Sequence, residues 1–274
     1  MRVIVPGQAR LLRPDGAWID AADLVGDISL LTYHNGKFDP VSATVSKTSE
    51  HATVEYRSGT YRHLITCEPL ELLSPKGWTS TIELHTGPKL STHHMLAKNV
   101  IEVPRLLPIY GTMKVDPTWI QLVSASIAGE KQLVIPAFLT QLDAPSLKTA
   151  LGAILRAAYP EIDIFKGDFL KRTPHLRLRN IEENSRRLLV HLFARLGVRA
   201  RRWEDKALMI KENRSKQIIA DLLDIYHPRQ LTIDTTMTDW IWSKTPQGPT
   251  EAVVIESPAE NICDGLFIWR PLQR

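Results

Sequence analysis

Two β-patterned segments, one at each end of the chain, constrain this sequence most. Between Leu11 and Leu31 a short apolar strand is followed by a Pro14-Asp15-Gly16 turn, Asp23-Leu24, Gly26-Asp27 and the strand-like Ser29-Leu30-Leu31-Thr32. Between Glu251 and Leu272 the order is a strand over residues 252–256, a turn at Ser257-Pro258, Asn261, and a last strand over residues 264–269. If both ends build one β-fold, the residues between them are an insertion into it.

Residues 1 to about 95 read as all-β, because short apolar runs recur between turn signals. Asn35-Gly36 marks a hairpin, since both residues tolerate positive φ. Strands are expected over residues 54–56, 61–66 and 70–73, with breaks at Ser58-Gly59 and Pro75-Lys76-Gly77. Ile82-Glu83-Leu84, Gly87 and Leu90 repeat the spacing of Asp23-Leu24, Gly26 and Leu30, which suggests a short internal duplication.

With Asp15-Gly16, Gly26-Asp27, Thr66, Gly77-Trp78, Asn261 and Gly265-Leu266 in this order, the two ends resemble the Hint fold, the self-processing β-domain of inteins and hedgehog proteins. The resemblance implies a nucleophile near Ile4 or Val5, an assisting His at Pro69 after Thr66, and a final His-Asn pair at Trp269-Arg270. None of these replacements attacks a carbonyl or activates a group that does, so no protein splicing is expected. Thr66 and Cys263 then read as fold residues.

From about Ile109 to Tyr226 the pattern changes to helices and basic strands. Asp116-Pro117 can open a helix that runs to about Gly129, and residues 146–158 form a second, with Leu147, Leu151, Ile154 and Leu155 on one face. A strand is expected over residues 162–165. Alternation over residues 175–179 sets Leu176 and Leu178 against His175, Arg177 and Arg179. Asn180 reads as an N-cap with Glu183 completing a capping box, and Gly197 ends that helix. Residues 198–203 and 206–211 form a hairpin whose first strand shows Arg199, Arg201 and Trp203 on one face. A last helix covers residues 215–226.

This succession resembles the second half of a LAGLIDADG homing-endonuclease unit, a domain that many inteins carry as an insert. The resemblance implies an α+β fold in three segments: a Hint-like β-domain from residues 1–108 and 231–274, interrupted by an α/β LAGLIDADG-like insert over 109–230. It implies duplex DNA as partner, with Arg177, Arg179, Arg199, Arg201 and Trp203 along a sheet that follows the groove. The namesake helix falls on residues 123–131, where Glu130 takes the metal-binding and catalytic acidic position. Lys131 stands where the motif has Gly, and no second copy of the motif follows, Asp234 and Asp239 in strand-like sequence being the candidates for the missing carboxylate, so the acidic pair is incomplete. A homodimer would supply two copies of Glu130. No cofactor is expected for folding, and Mg2+ only if the endonuclease is active.

An excess of four positive charges suits a polyanionic partner only where the charge is concentrated. Cys67 and Cys263 are the only cysteines, so no disulfide framework or cysteine zinc site is read from spacing and two buried free thiols are expected. The sequence carries no signal-peptide-like run and no bilayer-length apolar stretch, so a cytoplasmic location without membrane contact is expected. Three readings stay open: a DNA-binding protein derived from an intein and its endonuclease, with cleavage lost; a structural or assembly protein on the same scaffold; and an active, homodimeric, metal-dependent endonuclease.

Overall fold

In the computed structural model, which describes residues 1–60, 62–84, 99–120, 123, 132–159, 176–202, 207–224 and 233–273, strands from both chain ends join one sheet. The described residues divide into two units, Met1–Pro104 with Thr235–Arg274, and Arg105–Asp234. The first unit carries most of the strands: β1 (Arg2–Pro6), β2 (Arg10–Leu12), β3 (Trp18–Asp20), β4 (Gly26–His34), β5 (Lys37–Ser58), β6 (His63–Thr66), β7 (Leu70–Ser74), β8 (Gly77–Ser80) and β9 (Val100–Pro104). The second unit contributes β10 (Leu176–Leu178), β11 (Arg201–Arg202) and β12 (Leu208–Ile210), and the first resumes with β13 (Thr236–Glu256), β14 (Ile262–Cys263) and β15 (Ile268–Pro271).

The large sheet runs β1-β13-β5-β4-β14-β15-β7-β8, with β6 beside β5 and β9 beside β13. At its centre, β4 turns into β5 through Asn35 and Gly36, whose φ values of 48° and 80° fit the primed turns that match strand twist. Leu30 and Leu31 on β4, Val45 on β5, and Val253 and Ile255 on β13 are buried, so strands from both ends of the chain share one core.

Two expectations about strand length are corrected. The separate short strands expected near residues 54–56 and 252–256 are parts of two long ones, β5 with 22 residues and β13 with 21. Their middles are exposed on most positions and pair with each other, so no apolar alternation reveals them. Pro246 and Pro249 are accommodated by register shifts between Gln247 and Pro249 and between Thr250 and Ala252. The last strand expected over residues 264–269 is instead a hairpin, because Asp264 Oδ1 accepts from Leu266 N at 2.8 Å and Phe267 N at 2.7 Å and turns the chain there.

In the second unit, Asp116 caps a helical turn over residues 117–120 by accepting from Thr118 N at 2.8 Å. Helix α1 (Ala144–Ala158) starts at Asp143, which accepts from Ser146 N at 2.9 Å, and buries Leu147, Leu151, Ile154 and Leu155. Helix α2 (Glu183–Arg195) is capped by Glu182, not Asn180: Glu182 accepts from Asn184 N at 2.9 Å and Ser185 N at 2.7 Å. Asn180 instead takes a φ of 55° and turns the chain out of β10 ahead of the helix. Gly197, with φ of 79°, ends α2 as expected. Helix α3 (Asn213–Leu222) starts two residues earlier than the expected 215. The strand at 162–165, the repeat residues Gly87 and Leu90, and most of the namesake helix lie outside the described residues. No helix among the described residues is long and apolar enough to cross a membrane.

Candidate nucleic-acid interface

The small sheet of the second unit has the order β10-β12-β11, and its register decides which basic residues share a face. Arg177 on β10 and Arg201 on β11 both stand opposite Met209 on β12, so the three residues form one row across the sheet. Leu176 and Leu178 point the other way and are buried, as are Leu208 and Ile210. Arg177 and Arg179 are exposed, while Arg199 and Arg201 are half-buried. The backbone oxygen of Arg179 accepts from Tyr159 Oη at 2.7 Å, which ties the end of this strand to the end of α1.

Arg199 does not extend β11. Val198 N donates to Phe193 O at 2.9 Å and Arg199 N donates to Ser215 Oγ at 2.8 Å, so both amides are taken by the helix ends rather than by a ladder. The expected strand over residues 198–203 is thereby shortened to Arg201–Arg202 among the described residues. Trp203 and Glu130, with Lys131, lie outside the described residues. The described residues contain no group of three or more His, Cys, Asp or Glu side chains placed to hold a metal ion. Asp239 is buried in β13 and accepts from Thr60 N at 3.1 Å and from the Thr60 hydroxyl, a structural role.

The positions that the Hint resemblance assigns to self-processing gather in the first unit around residues 66–72. Ile4 N donates to Glu68 Oε2 at 3.2 Å, Thr66 ends β6, and Pro69 follows. On the other side, Trp269 and Arg270 pair with Leu72 and Glu71. Val5 and Thr66 are buried. The Trp269 ring donates to Asp264 Oδ2 at 3.1 Å, and Arg270 Nε donates to Glu71 Oε2 at 2.6 Å while its guanidinium lies 4.5 Å from the Trp78 ring centre.

The thiols nearby are poor nucleophiles in this setting. Burial, with Glu68 alongside, pushes the Cys67 thiol up to about 11, and complete burial pushes the Cys263 thiol higher still. Asp264 is likewise pushed up by burial, to about 6, even though it accepts three N–H groups and lies near Arg62. Sequence reasoning missed these buried polar groups. It also missed Glu55, held down to about 2 chiefly by the hydrogen bond with His63, 2.7 Å away, with Arg57 adding to the effect. It missed Lys211 and Arg105 too, and the buried Arg105 carries no periodic signal that would have singled it out.

No family model and no curated protein matches the chain. Among solved structures, the chain is similar to the crystal structure of a mutant of an Ssp DnaB mini-intein variant, with 10% identity and a TM-score of 0.45 over 100% of each chain. It is similar also to the crystal structure of that variant, with 11% identity and a TM-score of 0.45 over 99% of this chain and 95% of that one.

Proposed function

We propose that the chain is a duplex-DNA-binding protein built on an intein-like frame, one that neither splices nor cleaves. The observation that carries the reading is the register that sets Arg177 and Arg201 on either side of Met209. Two strand spacings separate their backbones by about 10 Å, a distance from which long guanidinium side chains reach neighbouring phosphates of a groove. The apolar side chains Leu176, Leu178, Leu208 and Ile210 of the same strands are buried in the core, on the side away from the basic row. Loss of splicing is supported by Ile4, Val5, Pro69, Trp269 and Arg270, none of which supplies a nucleophile or a base. Loss of cleavage is supported by Lys131 beside Glu130, where a second positive charge competes with a divalent metal.

The test is a fluorescence-anisotropy titration of a labelled duplex of random sequence in low salt. Wild type is expected to bind, and the chain with Ala at Arg177, Arg179, Arg199 and Arg201 to bind much more weakly while keeping its circular dichroism. Equal affinity for the two proteins rejects this face. A second reading, assembly with a protein partner, draws on Trp119, Val134 and Met113, large apolar residues of the second unit that are 46%, 47% and 39% exposed. Light scattering and co-purification separate the two readings: a stoichiometric protein partner without duplex affinity favours assembly.

A further inference from the structure

A cavity of about 290 Å³ in the second unit is lined by Arg199, Arg201, Lys211 and Glu212. Lys211 follows β12 directly and Arg199 lies two residues before β11, and both line the cavity beside Arg201. Among the described residues the lining carries three cations and one carboxylate, Glu212, and that carboxylate is already engaged. Glu212 accepts from Arg105 Nη2 at 2.8 Å through one oxygen and from Ser215 Oγ at 3.0 Å through the other. The Arg105 side chain is only 8% exposed, which makes it a fixed counter-charge built into the unit. The same Ser215 hydroxyl accepts from Arg199 N at 2.8 Å, tying the wall of the cavity to the start of α3.

We propose that this cavity seats a single phosphate group, held by Arg199, Arg201 and Lys211, with Arg105 as the positioning residue that neutralises Glu212 so that an anion can enter. The chemistry fits. Guanidinium forks match the tetrahedral oxygens of a phosphate, and an ammonium adds a mobile point charge. The volume accommodates the group with several waters at about 30 Å³ each. The inference rests on the DNA-binding reading only for the source of the phosphate, because a backbone phosphodiester and free phosphate present the same chemistry.

The test is a calorimetric titration of the full chain with inorganic phosphate at constant ionic strength in chloride, run beside a duplex titration of the same proteins. Phosphate is expected to bind wild type, and Lys211→Glu, an exposed position, to weaken it about tenfold or more. Arg105→Gln is expected to weaken it as well, because Glu212 is released as an unneutralised anion. Arg105→Gln combined with Glu212→Gln is expected to recover phosphate affinity, a rescue that a merely structural Arg105 does not give. No phosphate binding by wild type, or undiminished binding by Lys211→Glu, overturns the cavity and leaves duplex binding through Arg177 and Arg179 standing. Phosphate binding that depends on Lys211, with no duplex binding, upholds the cavity for free phosphate and sinks the DNA reading instead.

Discussion

Replacing Gly152 by Ala tests how tightly the second unit is packed, because two opposing effects make different predictions for its sign. In an exposed helix interior the change stabilises by about 1 kcal/mol, since Gly gives up more backbone entropy than Ala. Gly152, however, faces α3: a Cβ built there lies 2.2 Å from Leu222 O and 3.3 Å from Leu222 C. The obstacle is backbone, which has no rotamer to escape into, so α1 and α3 have to separate by most of an ångström along a contact that also buries Leu151 and Ile219. Overpacking of this kind costs about 1–3 kcal/mol, and a backbone obstacle belongs at the upper end. The net expectation is destabilisation by about 1–2 kcal/mol. Urea denaturation followed by circular dichroism measures it, with the midpoint expected to fall and the slope to stay unchanged. A rise in stability of about 1 kcal/mol would refute the close approach of α1 to α3.

The remaining expectations concern pH, processing and cleavage. Burial raises Asp264 from 3.8 to about 6, so its contribution is complete below its unfolded value and is lost as pH rises through 6. The loss is on the order of 2–3 kcal/mol, and Asp264→Asn should flatten the stability profile between pH 4 and 7; an unchanged profile contradicts the assignment. Glu55 acts in the opposite window, since its folded value of about 2 lies below the ordinary 4.5 and its contribution disappears as pH falls from there toward 2. Prolonged incubation with thiols should leave the mass of the full chain unchanged, and a specific product at either terminus would overturn the loss of self-processing. Supercoiled plasmid should show no Mg2+- or Mn2+-dependent nicking; cleavage that vanishes in Glu130→Gln would establish a working site.

Local signals were legible where a residue type answers a single backbone demand. Asn35-Gly36 forms its turn because both residues accept positive φ, and Gly197 ends α2 for the same reason. The alternation around Leu176, Arg177 and Leu178 was legible because β10 buries both leucines and exposes the arginine between them. What could not be read depends on distant partners. The middles of β5 and β13 pair with each other while exposed on most positions, so the polar run from Ser46 to Glu50 gives no period, and the prolines of β13 read as breaks although register shifts absorb them. The cap of α2 was misplaced because Asn180, Glu182 and Glu183 all suit a helix start, and the parallel bridge from Leu133 to Ile181 favours Glu182 by holding the chain extended up to it. Of the candidate interface, the arginines on alternate positions could be found, whereas Arg105 reaches Glu212 across 107 residues and no periodicity marks such a pair.

The central claim, that the basic face of the small sheet follows a phosphate backbone, is tested most directly by the salt dependence of duplex binding. Each phosphate neutralised releases condensed counterions, so the slope of log affinity against log salt counts the contacts at about 0.9 per phosphate. Wild type and the variant with Ala at Arg177, Arg179, Arg199 and Arg201 are titrated with one duplex from about 50 to 200 mM salt. A slope shallower by roughly 3–4 in the variant, at unchanged secondary structure, is the predicted result. Equal slopes, or a duplex affinity of wild type that does not change with salt, would contradict it.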